Sequence, residues 1–267
     1  MMKKRIFALA LAVVMLFSFS ACDFMNKTET GESSMNAYEL YTKIMEKNQS
    51  AMYGATMNVD MDMEMPGMTI EMGIEQIFES YNGNYNLTYS QTAAGQTSTI
   101  DIVYVNGVAY LEQDGEKIKM TIDGEELIEM IGAINFLDTD DAADEENPFD
   151  DLINEETLKE VKVKVKDGKL SFTVDVNAEK ANELFGSTTD EIGAEDEATY
   201  KGASLTMTCD KDYNLVSVAV SMEMDTVSDE TAMTIKATIT LFDFVSEKPT
   251  IKAPANKNSY VDYDDIY

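Results

Sequence analysis

Catalysis needs groups that attack, move protons or hold a metal, and this chain supplies few of them. It has two cysteines, Cys22 and Cys209, fifty Asp and Glu residues, and no histidine. Without histidine there is no Ser-His-Asp or Cys-His arrangement and no ordinary zinc site, and the commonest general base is missing. Carboxylate pairs remain as acid–base candidates in principle, but their abundance singles out none. Asp138, Asp140, Asp141, Asp144, Glu145 and Glu146 offer hard oxygens of the kind calcium takes, but their spacing lacks the glycine of an EF-hand loop. They read as a solvated acidic loop. The expectation is a protein that is not an enzyme, with no catalytic, cofactor-binding or metal-binding residue.

Of the two thiols, Cys22 has the more informative surroundings. Met1 to Arg5 form a positive start, Ile6 to Phe17 an apolar run, and Ser18-Phe19-Ser20-Ala21 a small-residue approach to Cys22. That is the layout of a secretory signal. The run falls short of the ~20 apolar residues a spanning helix needs. Phe19-Ser20-Ala21-Cys22 resembles the lipobox of bacterial lipoproteins, with Phe19 where the motif usually carries Leu, Ile or Val. The resemblance implies cleavage before Cys22 and a diacylglycerol on its thiol, with fatty chains such as palmitate. Two acyl chains suffice for stable anchoring. The expected location is the extracytoplasmic face of the cell membrane. Cys209 is then left without a disulfide partner, and its place in an alternating apolar run makes it a small core residue.

All fifty acidic residues but only seventeen of the twenty basic ones follow Ala21, a net charge of −33 for the processed chain. Such a surface repels nucleic acid, which is excluded as a partner. Hydrophobic residues make up 44% of the chain, enough for a sizeable core.

The elements that would carry any site follow from periodicity. Residues 1–21 read as the signal, 22–34 as a lipidated tether, 35–254 as one domain and 255–267 as an acidic tail outside the sheet. Ala37, Leu40, Tyr41, Ile44 and Met45 recur at helical spacing, with Ser34 or Asn36 as N-cap. Pro66-Gly67 joins two strictly alternating runs, setting Met65 against Met68, Met63 against Ile70, Met61 against Met72 and Val59 against Ile74. Asn82-Gly83, Asn106-Gly107, Asp114-Gly115 and Asp167-Gly168 are favoured hairpin turns. They predict Ile102 opposite Leu111, Leu111 opposite Ile118, Ala109 opposite Met120 and Val165 opposite Leu170. A helix is expected over 123–136, an acidic insert over 138–156, a helix over 178–185 and a loop over 187–197. Strands 199–209, 215–225 and 232–244 should close a meander with Met207 facing Val218, Met222 facing Ile235 and Val218 facing Ile239.

The fold class is therefore α+β, mainly β. About eleven strands form a curved antiparallel sheet, a half-barrel, with a few short helices covering its concave face. So broad a sheet must curl, and short helices fill only part of the hollow. Sixteen of the nineteen methionines follow the signal, many on apolar strand faces where Val and Ile are usual. Methionine is flexible and over-used at promiscuous binding surfaces. Met61, Met63, Ile70, Met72, Leu111, Met120, Met207 and Met222 are the candidate lining of an apolar pocket. The competing reading is a methionine-rich filled core.

Four stretches carry a wider resemblance. They are Asn36-Ala37-Tyr38-Glu39-Leu40-Tyr41-Thr42-Lys43, then Tyr104-Val105-Asn106-Gly107-Val108-Ala109-Tyr110-Leu111, then Asp114-Gly115-Glu116-Lys117, and Pro249-Thr250-Ile251-Lys252-Ala253-Pro254. In this order, behind a lipobox, they resemble the Gram-positive lipoproteins similar to LolA, LppX and LprG. The resemblance implies a helix-plugged half-barrel in which several relatives carry lipids or lipidated proteins, while others sense misfolded envelope proteins. Two functions follow as expectations. One is a membrane-anchored protein that binds a lipid or other apolar ligand in the hollow of its sheet. The other is a non-enzymatic envelope interaction or sensory module with a filled core and a protein partner.

Overall fold

Five tight turns share one backbone signature, a positive φ at both central residues: Asn82-Gly83, Ala94-Gly95, Asn106-Gly107, Asp114-Gly115 and Asp167-Gly168. Their twist matches that of the flanking strands, so each pins the register of a hairpin. The computed structural model describes residues 30–48, 52–124, 126, 127, 153–185, 199–228 and 231–265. The signal, Cys22, residues 23–29 of the tether, residues 138–152 of the acidic insert and the 187–197 loop lie outside the described residues. So does most of the helix expected over 123–136. Gly124, Glu126 and Leu127 are helical, and Leu127 is buried.

The strands are β1 (Thr30–Asn36), β2 (Gly54–Met65), β3 (Met68–Tyr81), β4 (Asn84–Ala93), β5 (Gln96–Val105), β6 (Val108–Gln113) and β7 (Glu116–Thr121). They continue as β8 (Lys162–Lys166), β9 (Lys169–Asn177), β10 (Thr199–Cys209), β11 (Leu215–Ser228), β12 (Thr231–Val245) and β13 (Val261–Asp262). All thirteen join in one open, curved sheet in the order β1-β8-β9-β10-β11-β12-β2-β3-β4-β5-β6-β7-β13. Every pairing is antiparallel except the short β13–β7 bridge. Two local meanders, β2–β7 and β8–β12, therefore meet along a single β12–β2 seam.

The expected hairpins form in the expected registers. Met61 faces Met72, Ile102 faces Leu111, Ala109 faces Met120 and Val165 faces Leu170. Three readings need correction. The sheet has thirteen strands rather than eleven, and both extra strands lie at its edges. Thr30–Ser34, read as tether, belongs to β1 and pairs with β8. Val261-Asp262, read as tail outside the sheet, pairs with β7. The third correction concerns β11 and β12, where Met222 faces Ala237, Met224 faces Ile235 and Val218 faces Leu241. That register is two residues away from the expected one. A two-residue slip leaves every side chain on the same face.

Three short helices lie wholly among the described residues and cover part of the sheet: α1 (Ala37–Lys47), α2 (Glu155–Glu160) and α3 (Ala178–Phe185). Asn36 starts α1 with a full capping box, accepting from Glu39 N while Glu39 bonds back to the Asn36 amide. Ala37, Leu40, Ile44 and Met45 bury the inner stripe of α1. Its far end is clamped by Asn48, which donates to the carbonyls of Ile44 (2.6 Å) and Tyr213 (3.0 Å) and accepts from Leu215 N (3.2 Å). Asn182 holds α3 on β10 by donating to the Tyr200 carbonyl at 2.7 Å and accepting from the Tyr200 amide at 2.9 Å.

Candidate apolar binding face

Residues directly opposite one another across a ladder share a face, so the printed registers resolve the apolar side of the sheet into rows. One row runs Phe172–Met207–Val218–Leu241–Met57, then Gln76, Tyr89 and Ile100. Its central members are packed: Met207 is 1% exposed, Phe172 1% and Met57 4%. Two rows nearer the tip of the β2–β3 hairpin the sequence is Met72–Met61–Ala237–Met222–Ala203. Beyond that row comes Ile70–Met63–Ile235–Met224. Apart from Ala237, these residues are half-buried. Along β2 the change is visible within one strand, buried from Gly54 to Met57 and half-buried or exposed from Asn58 onward.

The eight expected pocket residues fall into three places. Met61, Met63, Ile70, Met72 and Met222 converge on the two half-open rows. Leu111 and Met120, also half-buried, lie on the β6–β7 wing, in the rows of Phe78 and Tyr104. Met207 belongs to the packed core. The helices decide this division. The core cluster joins Leu40, Ile44, Met45, Leu158 and Ala181 to the rows around Met207. Met61, Met63 and Ile70 are not part of it.

At the hairpin-tip end the rows open beside a depression of about 520 Å³ lined by Met65, Pro66, Ala232, Met233 and Thr226, together with Glu64, Lys201, Asp225 and Thr234. Lys201 and Asp225 pair within its lining, while Glu223 and Lys236 pair with its residues from outside. Lys201 reaches Asp225 at 2.9 Å and Glu223 at 3.3 Å, while Lys236 reaches Glu64 at 2.6 Å. The hydrogen bond from Lys201, supported by one from Thr234, holds the Asp225 carboxyl below its usual range. Glu64, Thr234 and Asp225 share one ladder row on the face opposite Met63, Ile235 and Met224, so this polar cluster stands behind the apolar strip.

Gln76 is the residue that pattern reading passed over. It is 2% exposed, flanked on the apolar face by Met57 and Tyr89, and its Nε2 has no hydrogen-bond partner among the described residues. Strict alternation along β3 would have found it, because it shares the parity of Ile70, Met72 and Phe78. Cys209 is buried and free, and burial pushes its thiol up to about 12, so it is no nucleophile. Among the described residues no group of three acidic, histidine or cysteine side chains is placed to hold a metal. No helix among them is long and apolar enough to cross a membrane.

No protein-family model and no curated protein matches this sequence. Solved structures similar to it include LprF from Mycobacterium bovis, with 12% identity and a TM-score of 0.35 over 82% of this chain and 97% of that one. The ywiB protein from Bacillus subtilis shows 11% identity and a TM-score of 0.20 over 73% of this chain and 96% of its own. A DUF1329 family protein from Desulfovibrio piger shows 11% identity and a TM-score of 0.22 over 78% of this chain and 92% of its own. Likeness this distant carries no functional argument, and the reading below rests on the residues themselves.

Proposed function

We propose that this chain is a non-catalytic lipoprotein of the LolA, LppX and LprG type. In this reading it is anchored through Cys22 at the extracytoplasmic face and holds a lipid or other apolar ligand against its open rows. The observation that carries the proposal is the pair of half-exposed rows built from Met72, Met61, Met222, Ile70, Met63, Ile235 and Met224. Leaving such side chains in water forgoes about 25 cal/mol per Å² of burial, which a hydrocarbon chain would recover. Methionine suits a face that must accept a flexible tail, since its unbranched thioether adapts to the occupant. The lipobox and the ordered sequence phrases support the anchor and the family.

Protein purified without residues 1–21 should carry lipid visible by native mass spectrometry, or take up added phospholipid or fatty acid. Replacing Met61, Met63 and Met222 together by Glu should abolish that uptake while the chain still folds. Ligand-free protein that takes up nothing would defeat the proposal. It would favour the second reading, an envelope interaction or sensory module, which the burial of Phe172, Met207, Val218, Leu241 and Met57 supports.

A further inference from the structure

The first described residue of the chain, Thr30, is the ladder partner of Lys166, and the strand it enters borders the densest run of positive charge in an acidic protein. Lys162, Lys164 and Lys166 alternate along β8 with Val163 and Val165. The valines turn to the apolar side, and all three lysines are exposed. Lys166 faces Lys169 across the Asp167-Gly168 turn, and Lys169 is also exposed. Four of the seventeen lysines that follow the signal therefore share one outward patch. Glu32 neutralises only one of them, reaching Lys162 at 2.7 Å. Lys164, Lys166 and Lys169 have no ion pair among the described residues, and Asp167 in the turn is the nearest acidic residue in sequence.

From this juxtaposition we infer that the β1–β8–β9 edge is a membrane-docking surface, its lysines seated on the anionic phospholipid headgroups of the bilayer that holds the anchor. The inference rests on the proposed acylation of Cys22. Only seven residues separate Cys22 from Thr30, and the eight steps between them span at most about 28 Å when fully extended and on the order of 16 Å as a flexible coil. An anchored chain therefore holds this edge within about 28 Å of the bilayer. The net charge of −33 does not oppose this, because salt screens charges more than about 8 Å from the surface. Only the nearest groups are felt. Near the headgroups the three unpaired lysines attract, while the acidic remainder is driven outward. The outcome is an orientation as well as an attachment, with β1 against the membrane and the β13 edge at the far end of the sheet.

The test can be separated from natural acylation. The mature chain beginning at Cys22 is coupled through that thiol to a maleimide lipid, Cys209 being buried and unreactive, and loaded on phosphatidylcholine vesicles with or without 30% phosphatidylglycerol. Lysine acetylation read by mass spectrometry should fall at Lys164, Lys166 and Lys169 by about five-fold or more on the anionic vesicles, the factor one headgroup contact carries. Labelling of Lys211 and Lys248 should not change. The protection should vanish in 0.5 M salt. In the variant combining Lys164→Glu, Lys166→Glu and Lys169→Glu, the protection of Lys162 should vanish as well. Equal labelling of the patch on both vesicle types would overturn the inference. Absence of lipid on Cys22 in cells would instead overturn the anchor reading, leaving the vesicle result standing on its own.

Discussion

The hydroxyl of Tyr260 donates to Glu112 Oε2 at 3.2 Å, and that contact fastens the end of the chain to the sheet. Around it, Tyr110 meets the Tyr260 ring edge-on at 5.4 Å and Lys117 lies 5.5 Å from the ring centre while bonding Glu112 at 2.6 Å. The hydrogen bond from Lys117, helped by that from Tyr260, holds the Glu112 carboxyl below its ordinary 4.5. Burial and the bond to Glu112 raise the Tyr260 hydroxyl above its ordinary 10.0. A depressed carboxyl stabilises above its unfolded value and stops doing so as pH falls through its folded one. A raised phenol stabilises below its unfolded value and loses this as pH climbs through its folded one. Docking of β13 should be strongest between these limits. Amide protection of Val261 and Asp262, corrected for intrinsic exchange, should weaken below pH 4 and above pH 10, and Tyr260→Phe should remove the alkaline-side dependence.

Gly54 should tolerate no side chain. A Cβ there would lie 2.2 Å from the Phe78 carbonyl oxygen, in the backbone of the partner strand, whereas at Gly73 the nearest atom is Thr92 Cβ at 3.9 Å. Gly54→Ala is expected to destabilise by about 3 kcal/mol through overpacking, and Gly73→Ala by less than about 0.5 kcal/mol. Urea unfolding monitored by circular dichroism separates the two, and equal midpoints would contradict the tight β2–β3 approach.

The unpartnered amide of Gln76 gives an opposite expectation. A buried donor without an acceptor costs about 1–3 kcal/mol, so Gln76→Met should raise the stability of ligand-free protein by about 1 kcal/mol. Should the ligand bring an acceptor to this position, the same variant should bind it more weakly. Thermal unfolding with and without added lipid reads both effects.

Cys209 should behave as an inert core atom. Burial, followed by the nearby Asp210 charge, pushes its thiol from 9.0 to about 12. A raised thiol favours the neutral form, so its contribution is complete below pH 9 and declines as pH climbs towards the folded value. In a Cys22→Ser background, a thiol reagent at pH 8 should label nothing until the protein is unfolded, then one group per chain. Rapid native labelling would place Cys209 at the surface.

Much of the sheet was legible because two-residue turns dictate register. Asn106-Gly107 alone determines that Ile102 meets Leu111. The β11–β12 offset was not legible, since alternation has period two and a two-residue slip conserves every face. Nor were the edge strands. β1 and β13 are held by backbone ladders at the sheet rim, where side-chain pattern carries little information, and β13 has only two residues. The methionines show the same limit in another form. Met61, between Asp60 and Asp62, and Met207, between Thr206 and Thr208, both sit in alternating runs, and the position of α1 and its neighbours makes one half-open and the other sealed.

The β12–β2 seam has a consequence for the order of events as the chain is synthesised. Each meander closes through contacts between neighbours in the chain, and such local steps are fast. β2 is made early, yet the strand that completes its other side ends at Val245, about 180 residues later. Until then a methionine-rich ribbon waits with one flank unpaired, a template for sticking to other chains. Rapid folding therefore depends on β2 staying protected until its distant neighbour arrives.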